Sequence, residues 1–94
     1  MTVVFTEGAR ADLDDILAYT KANHPFQLAR LEQRIREVIA LTERFPRNAR
    51  KLSQRSGVRV MPLIRYPFRI FYREIETGVE ILHIHHVARR IPKP

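Results

Sequence analysis

Apolar residues in the first half of the chain recur at the spacing of one face of an α-helix. After a short β-prone run at residues 3–5, the first such repeat consists of Ala9, Leu13, Ile16 and Leu17. Thr6 is placed to cap this helix, because its hydroxyl can accept a hydrogen bond from a backbone N–H of the first turn. The spacing predicts a first helix over about residues 7–22.

A second helical repeat follows a break at residues 23–25 that ends in Pro25. Proline suits the first turn of a helix, since it has no N–H that would lack a partner there. The repeat consists of Leu28, Leu31, Ile35, Val38, Ile39, Thr42 and Phe45. It predicts a helix over about residues 26–44, which stops before Pro46. Because only about two or three residues separate the two helices, we expect an antiparallel helical hairpin over about residues 7–45.

The second half of the chain alternates apolar and polar residues, which is the pattern of β-strands. A polar, basic segment without any period at residues 47–56 is expected to be a loop. The strands are expected at residues 58–61, 68–73 and 79–87, with a turn at residues 76–78. Together these elements predict a sheet over about residues 57–88.

The predicted element order is β-α-α-β-β-β, which gives an α+β domain. We expect the N-terminal helical hairpin to pack on one face of a small antiparallel sheet, in a single domain spanning residues 1–94. Leu82 and Ile84 are expected to share one face of the last strand. The face turned away from the helices is expected to carry Arg59, Met61, Arg69, Phe71, Arg73, His83 and His85.

The composition excludes several classes of protein. The chain has no Cys, which excludes disulfide frameworks, zinc fingers and thiol catalysis. Its apolar runs are far shorter than the roughly 20 residues that a membrane helix needs. The N-terminus has neither the basic start nor the apolar core of a signal peptide. We therefore expect a cytoplasmic protein without a membrane partner.

The charge balance is the first functional clue. Seventeen Lys and Arg against ten Asp and Glu give a net charge of +7. The segment from Arg44 to Arg73 holds nine basic residues and no acidic residue. Most of these cations are Arg, whose planar fork of donors suits carboxylate and phosphate. A solvated basic face and a surface shaped for an acidic partner, either nucleic acid or an acidic protein segment, are both consistent with this distribution.

An endoribonuclease is the most serious enzymatic hypothesis. Such an enzyme needs a proton acceptor, a proton donor and cations beside the phosphate. The candidates for these roles are His83, His86, Arg65 and Arg89. No nucleophile-and-base motif is legible, and the three glycines cannot build a phosphate-binding loop.

A metal site on the last strand is the other chemical hypothesis. His83 and His85 point the same way on a strand, but two imidazoles need a third ligand. The only histidine outside this strand, His24, lies in the break between the helices. We therefore predict no metal site, no cofactor and no small-molecule substrate.

Several short motifs resemble the ParE branch of the RelE/ParE toxin family. In the second half of the chain they are Gly57–Pro62, Arg65–Arg73, Gly78–Leu82 and His86–Arg89. In the first half they are Ala11–Leu13, Ile16, Tyr19, Pro25, Ala29 and Phe45–Pro46. The likeness covers nearly the whole chain, and the order, spacing and total length of the motifs make it more specific than any one of them.

The resemblance implies the toxin of a bacterial type II toxin–antitoxin pair, a class associated with plasmid stabilisation. ParE-like members poison DNA gyrase, and a cognate antitoxin holds the toxin inactive by wrapping it with a C-terminal segment. RelE-like members instead cut messenger RNA in the ribosome, and this chain has no equivalent of their lysine-rich catalytic set. We therefore expect a gyrase inhibitor. The alternatives are a ribosome-dependent mRNA endoribonuclease and a non-toxic relative that only binds its partner.

The same resemblance suggests which residues bind the target or the antitoxin. They are expected to be Arg59, Arg65, Arg69, Arg73, His86 and Arg89. The family's last motif usually reads His-Gly-Ala-Arg-Asp, whereas this chain has Val87 in place of Gly and Arg90 in place of Asp. Val87 changes the local packing, and Arg90 reverses a charge, which can alter an internal ion pair or the choice of partner.

Overall fold

Two helices and five strands form the part of the chain, residues 2–88, that the computed structural model describes. In chain order the elements are β1 (Thr2–Phe5), α1 (Glu7–Asn23), α2 (Leu28–Arg44), β2 (Arg50–Lys51), β3 (Val58–Pro62), β4 (Phe68–Ile75) and β5 (Gly78–His86), with a 3₁₀ turn at Pro25–Gln27 between the helices. The predicted α+β fold and the helical hairpin are confirmed. The segment predicted as a loop at residues 47–56 contains the additional strand β2.

The five strands form one mixed sheet in the order β1-β5-β4-β3-β2. β3, β4 and β5 pair antiparallel in succession, as expected, and β2 pairs antiparallel with β3. β1 pairs with β5 in parallel, so the sheet is not the purely antiparallel one that the sequence predicts. A parallel neighbour requires a crossover connection, and here the crossover from β1 to β5 contains both helices and the other strands. The first and last of the described strands therefore lie side by side at one edge of the sheet.

Local signals at the ends of α1 explain where it begins and ends. The side chain of Thr6 accepts a hydrogen bond from the backbone N–H of Ala9 at 3.0 Å, as the sequence predicts for a cap. Glu7 adds a negative charge to the first turn, and Lys21 adds a positive charge to the last turn, both favourable to the helix dipole. The helix stops at His24, immediately before Pro25.

The main hydrophobic core lies between the helices and one face of the sheet. The helices contribute Ala9 and the buried stripe of α2, and the sheet contributes buried residues of β4 and β5. The members from the helices and strands are Ala9, Leu31, Ile35, Val38, Ile70, Tyr72, Val79, Ile81 and Ile84. A second, smaller cluster on the other face contains Leu52, Val58, Val60, Phe71 and Leu82, and no helix residue belongs to it. We call the face with this second cluster the outer face.

Two parts of the predicted facing are wrong. Arg59 and Met61 lie on the helix side of β3, because Leu52 from the preceding loop covers Val58 and Val60 on the outer face. Alternation separates the two faces of a strand, but it does not say which face a distant segment will cover.

A β-bulge explains the second error, in β5. Phe71 pairs with His83 and Tyr72 pairs with Ile81, so Leu82 is an extra residue in the ladder. Leu82 therefore joins the outer cluster, whereas Ile84 joins the main core, and the two do not share a face as expected.

Tyr72 ties the sheet to the loop that follows α2. It is fully buried, and its hydroxyl donates a hydrogen bond to the backbone oxygen of Pro46 at 2.8 Å. Burial raises the pKa of this phenol above its ordinary value of 10.0, and the nearby Arg59 charge opposes the rise.

This arrangement predicts an alkaline loss of stability that Tyr72→Phe removes. Well below pH 10 the phenol is protonated in both states, so its contribution to the free energy of unfolding is complete. Above about pH 10 the unfolded chain releases the proton first, so the contribution falls as the pH rises toward the higher folded pKa. Tyr72→Phe should lose about 1 kcal/mol at neutral pH, from the lost hydrogen bond, and lack this alkaline fall.

Urea unfolding at several pH values measures both effects. Tyr19→Phe is the matched control, because Tyr19 is 62% exposed, and it should behave as the unsubstituted protein does. An alkaline fall of equal size in Tyr72→Phe would show that Tyr72 is not its source.

Candidate functional site

The edge of β5 is only partly covered by β1. β1 pairs with β5 over residues 78–81, and the next residues of β5 have no strand partner on that side. The start of α1 takes over there. Thr6 donates a hydrogen bond from Oγ1 to the backbone oxygen of Leu82 at 3.0 Å, and Asp12 Oδ2 accepts one from the backbone N–H of Ile84 at 3.0 Å. Side chains of α1 therefore continue the edge pairing that β1 begins.

Asp12 also brings together two histidines of β5. Its Oδ2 atom lies 3.7 Å from His83 Nδ1 and 3.6 Å from His85 Nε2. The side chains of all three residues are largely shielded from solvent, with exposed fractions of 17% for Asp12, 31% for His83 and 12% for His85. The two imidazole rings lie 4.8 Å apart between centroids. We call Asp12, His83 and His85 the edge cluster.

Phe71 on β4 supports the edge cluster from the outer face. Its ring centroid lies 6.5 Å from that of His83 and 5.5 Å from that of His85. The Arg69 guanidinium lies over the same ring at 5.7 Å and also donates to the backbone oxygen of Val87 at 3.3 Å. A cation and two imidazoles therefore lie around the same aromatic ring.

Two of the arginines predicted to bind a partner share the outer face. Arg69 stands opposite His85, and Arg73 stands opposite Glu80, to which its Nε donates at 2.6 Å. This ion pair is about half exposed on the arginine side, so it adds little to stability. The outer face thus presents positive charge beside an aromatic ring and two imidazoles.

The other predicted partner-binding residues lie elsewhere. Arg59 faces the helix side and donates to the backbone oxygen of Ala49 at 2.8 Å. Arg65 is exposed in the turn before β4, in a shallow groove against α2. His86 packs edge-on against Phe68 at 5.5 Å, beside α1. Arg89, and with it the departure at Arg90, lies outside the described residues. The expected single cationic face is therefore divided among several surfaces.

The residues expected for an endoribonuclease are also separated. His83 belongs to the edge cluster on the outer face, whereas His86 packs against Phe68, which contacts the main core on the helix side. Arg65 lies in the turn against α2. Among residues 2–88, these three side chains do not converge on a common point where a phosphate could be held.

The edge cluster is the feature that sequence reasoning missed. The acidic run at residues 12–15 has the pattern of a solvated helix face, and Asp14 and Asp15 are indeed exposed, but Asp12 is not. The available signal was indirect. If β1 pairs with the last strand, the first two turns of the helix that follows must cross the edge of that strand, beside its histidines.

A family model and a solved structure resemble the whole domain. The model described as the ParE toxin of the type II toxin–antitoxin system parDE matches residues 3–91. A structure titled as the chromosomal ParDE toxin–antitoxin system from P. aeruginosa is similar, with 28% sequence identity and a TM-score of 0.78. The match covers 92% of this chain and 95% of that one. No curated protein matched the chain significantly. Neither helix within residues 2–88 is long and apolar enough to cross a membrane.

The hydrogen bond that Asp12 accepts from the Ile84 N–H predicts that Asp12 stabilises the fold more than Asp14 does. Asp12→Ala leaves the Ile84 N–H without its acceptor and should lower the free energy of unfolding by about 1–3 kcal/mol. Asp14→Ala removes an exposed carboxylate from the same helix and should change it by less than about 0.5 kcal/mol. Urea unfolding of both variants measures the difference. Equal losses would contradict a structural role for Asp12.

Proposed function

Because the chain belongs to the family of ParE toxins of type II toxin–antitoxin systems, we propose that it inhibits growth by binding DNA gyrase and that a cognate antitoxin neutralises it. The observation that carries this proposal is the match of the ParE family model to residues 3–91. The solved relative is itself titled as a ParDE toxin–antitoxin system, and the chains overlap over nearly their whole lengths.

The dispersed basic residues and histidines favour binding over bond cleavage. A ribonuclease must hold a proton donor, a proton acceptor and a phosphate ligand within hydrogen-bond reach of one phosphodiester. His83 and His86 lie on opposite faces of β5, and Arg65 lies in a turn against α2. Binding a large protein requires no such convergence, because separate contacts add over an extended surface.

The surface chemistry also supports an antitoxin of acidic and apolar character. The chain carries a net charge of +7. Large apolar side chains lie exposed, including Phe26 at 97%, Ile64 at 73% and Tyr19 at 62%. A partner segment with apolar and acidic residues would cover such side chains and pair with the cations, and a disordered tail can do this by folding as it binds.

We further propose that gyrase and antitoxin are contacted through the residues that the family resemblance suggests. They are Arg59, Arg65, Arg69, Arg73, His86 and Arg89. Of these, Arg69 and Arg73 stand on one surface, the outer face, and Arg69 lies above an aromatic ring. Arginine beside an aromatic side chain is a common centre of protein interfaces. A ribosome-dependent endoribonuclease and a non-toxic partner-binding relative are the competing functions.

A supercoiling assay tests the gyrase proposal. Purified chain at micromolar concentration should inhibit supercoiling of relaxed plasmid by gyrase, and primer extension on ribosome-bound message should show no new cuts. Absence of inhibition would contradict the gyrase target. Codon-spaced cleavage of message would instead favour the endoribonuclease. Absence of both gyrase inhibition and message cleavage would favour the non-toxic relative.

The outer face is tested by Arg69→Ala. Removal of a central interface arginine should raise the concentration needed for half-inhibition of gyrase by roughly tenfold or more. Arg36→Ala is the matched control, because Arg36 lies on α2 and its side chain is 76% exposed; it should change inhibition by less than about twofold. Circular dichroism checks that both variants are folded. Equal inhibition by all three proteins would show that gyrase binds elsewhere.

A further inference from the structure

We propose that Asp12, His83 and His85, the edge cluster, form a binding site for a divalent first-row metal ion, with Zn²⁺ as the best match. The sequence alone argued against a metal because it offered two histidines without a third ligand. The fold supplies that ligand from α1. This proposal does not depend on the toxin function.

The donor atoms are close to the geometry of a metal shell. One ligand atom from each residue can be chosen so that all three lie within 4.8 Å of one another. The two carboxylate-to-imidazole distances are 3.7 and 3.6 Å. Ligand atoms about 2.0–2.1 Å from a tetrahedral Zn²⁺ are separated by about 3.3–3.4 Å. Two of the three edges are therefore within a few tenths of an ångström of that value. The third, which lies within 4.8 Å, would be closed by rotation of the two imidazoles toward one another.

The fold holds the three side chains in place. His83 and His85 alternate on β5 and are braced by the Phe71 ring. Asp12 is anchored by its hydrogen bond to the Ile84 N–H, through Oδ2. A backbone hydrogen bond to a liganding carboxylate is the kind of supporting contact that orients ligands in metal sites. The backbone positions of the three ligands are therefore fixed, and the imidazole rings are the parts that would move to accept an ion.

The ligand chemistry favours zinc and similar ions over calcium or magnesium. Imidazole suits Zn²⁺, Ni²⁺, Co²⁺ and Cu²⁺, whereas Ca²⁺ and Mg²⁺ prefer oxygen ligands. Two histidines and one carboxylate would leave a fourth position for water or a donor from outside the chain. Arg69 stands opposite His85 and places a positive charge nearby. A site with one carboxylate and an adjacent cation should bind Zn²⁺ with a Kd on the order of micromolar rather than nanomolar.

Calorimetric titration of the tag-free full chain with Zn²⁺ tests the proposal, together with the absorption spectrum of the Co²⁺ complex. We expect one ion per chain, a tetrahedral Co²⁺ spectrum and a rise in melting temperature with Zn²⁺, since the ion binds the folded state. Asp12→Asn, His83→Gln and His85→Gln should each weaken binding by roughly tenfold or more. Asp12→Asn keeps an oxygen acceptor for Ile84, so its loss of metal is separable from a loss of fold.

His24→Gln and His86→Gln are the matched controls. Both remove a histidine from outside the edge cluster, one between the helices and one at the end of β5, and both should bind Zn²⁺ as the unsubstituted chain does. No binding at 100 µM Zn²⁺, or equal weakening in these controls, would overturn the site. Supercoiling inhibition measured on Asp12→Asn, His83→Gln, His85→Gln and His24→Gln keeps the two proposals apart. None of these residues is a proposed gyrase contact, so zinc binding can be lost while inhibition is retained.

Discussion

The parallel pairing of β1 with β5 places Thr6 and Asp12 beside the histidines of β5. Four residues of β1 fix the start of α1 beside the last strand, so that Thr6 and Asp12 complete the hydrogen bonds of the edge that β1 leaves open. Buried or half-buried backbone groups must find partners, and here one carboxylate provides the partner for Ile84. The same carboxylate then lies within 4 Å of two imidazoles. The need of the Ile84 N–H for a hydrogen-bond acceptor thus brings a carboxylate next to two imidazoles.

The sequence predicted the elements far better than it predicted their faces. Helical spacing, Thr6 and Pro25 located α1 and α2 to within about two residues, because capping and proline effects are local. The facing of Arg59 and of Leu82 failed for non-local reasons. Leu52, from a loop, covers the outer side of β3, and a bulge shifts β5 by one residue. Neither event has a signal within the strand itself. Asp12 illustrates the same limit, since only the pairing of distant strands reveals its neighbours.

The family assignment and the geometry support one view of the surface. A toxin that works by contact needs exposed side chains of several kinds, and this chain offers arginines on the outer face and apolar side chains near the helical hairpin. The separation of His83 from His86, which argues against a shared phosphate site, does not weaken a contact-based function. His83 and His85 lie instead beside Asp12 in the edge cluster, where an ion would join α1 to β5.

The partnership of the first and last strands has a consequence for biosynthesis. Thr2 and Thr77 contact one another although they are 75 positions apart in the chain, and Gly78 is closely apposed to the backbone of Thr2, where any side chain would collide. β1 leaves the ribosome first, yet its partner β5 is the last of the described strands to be translated. Until then the apolar side of the helical hairpin lacks Val79, Ile81 and Ile84, which β5 contributes to the core. The core shared by the helical hairpin and the sheet is therefore completed only when β5 has emerged from the exit tunnel.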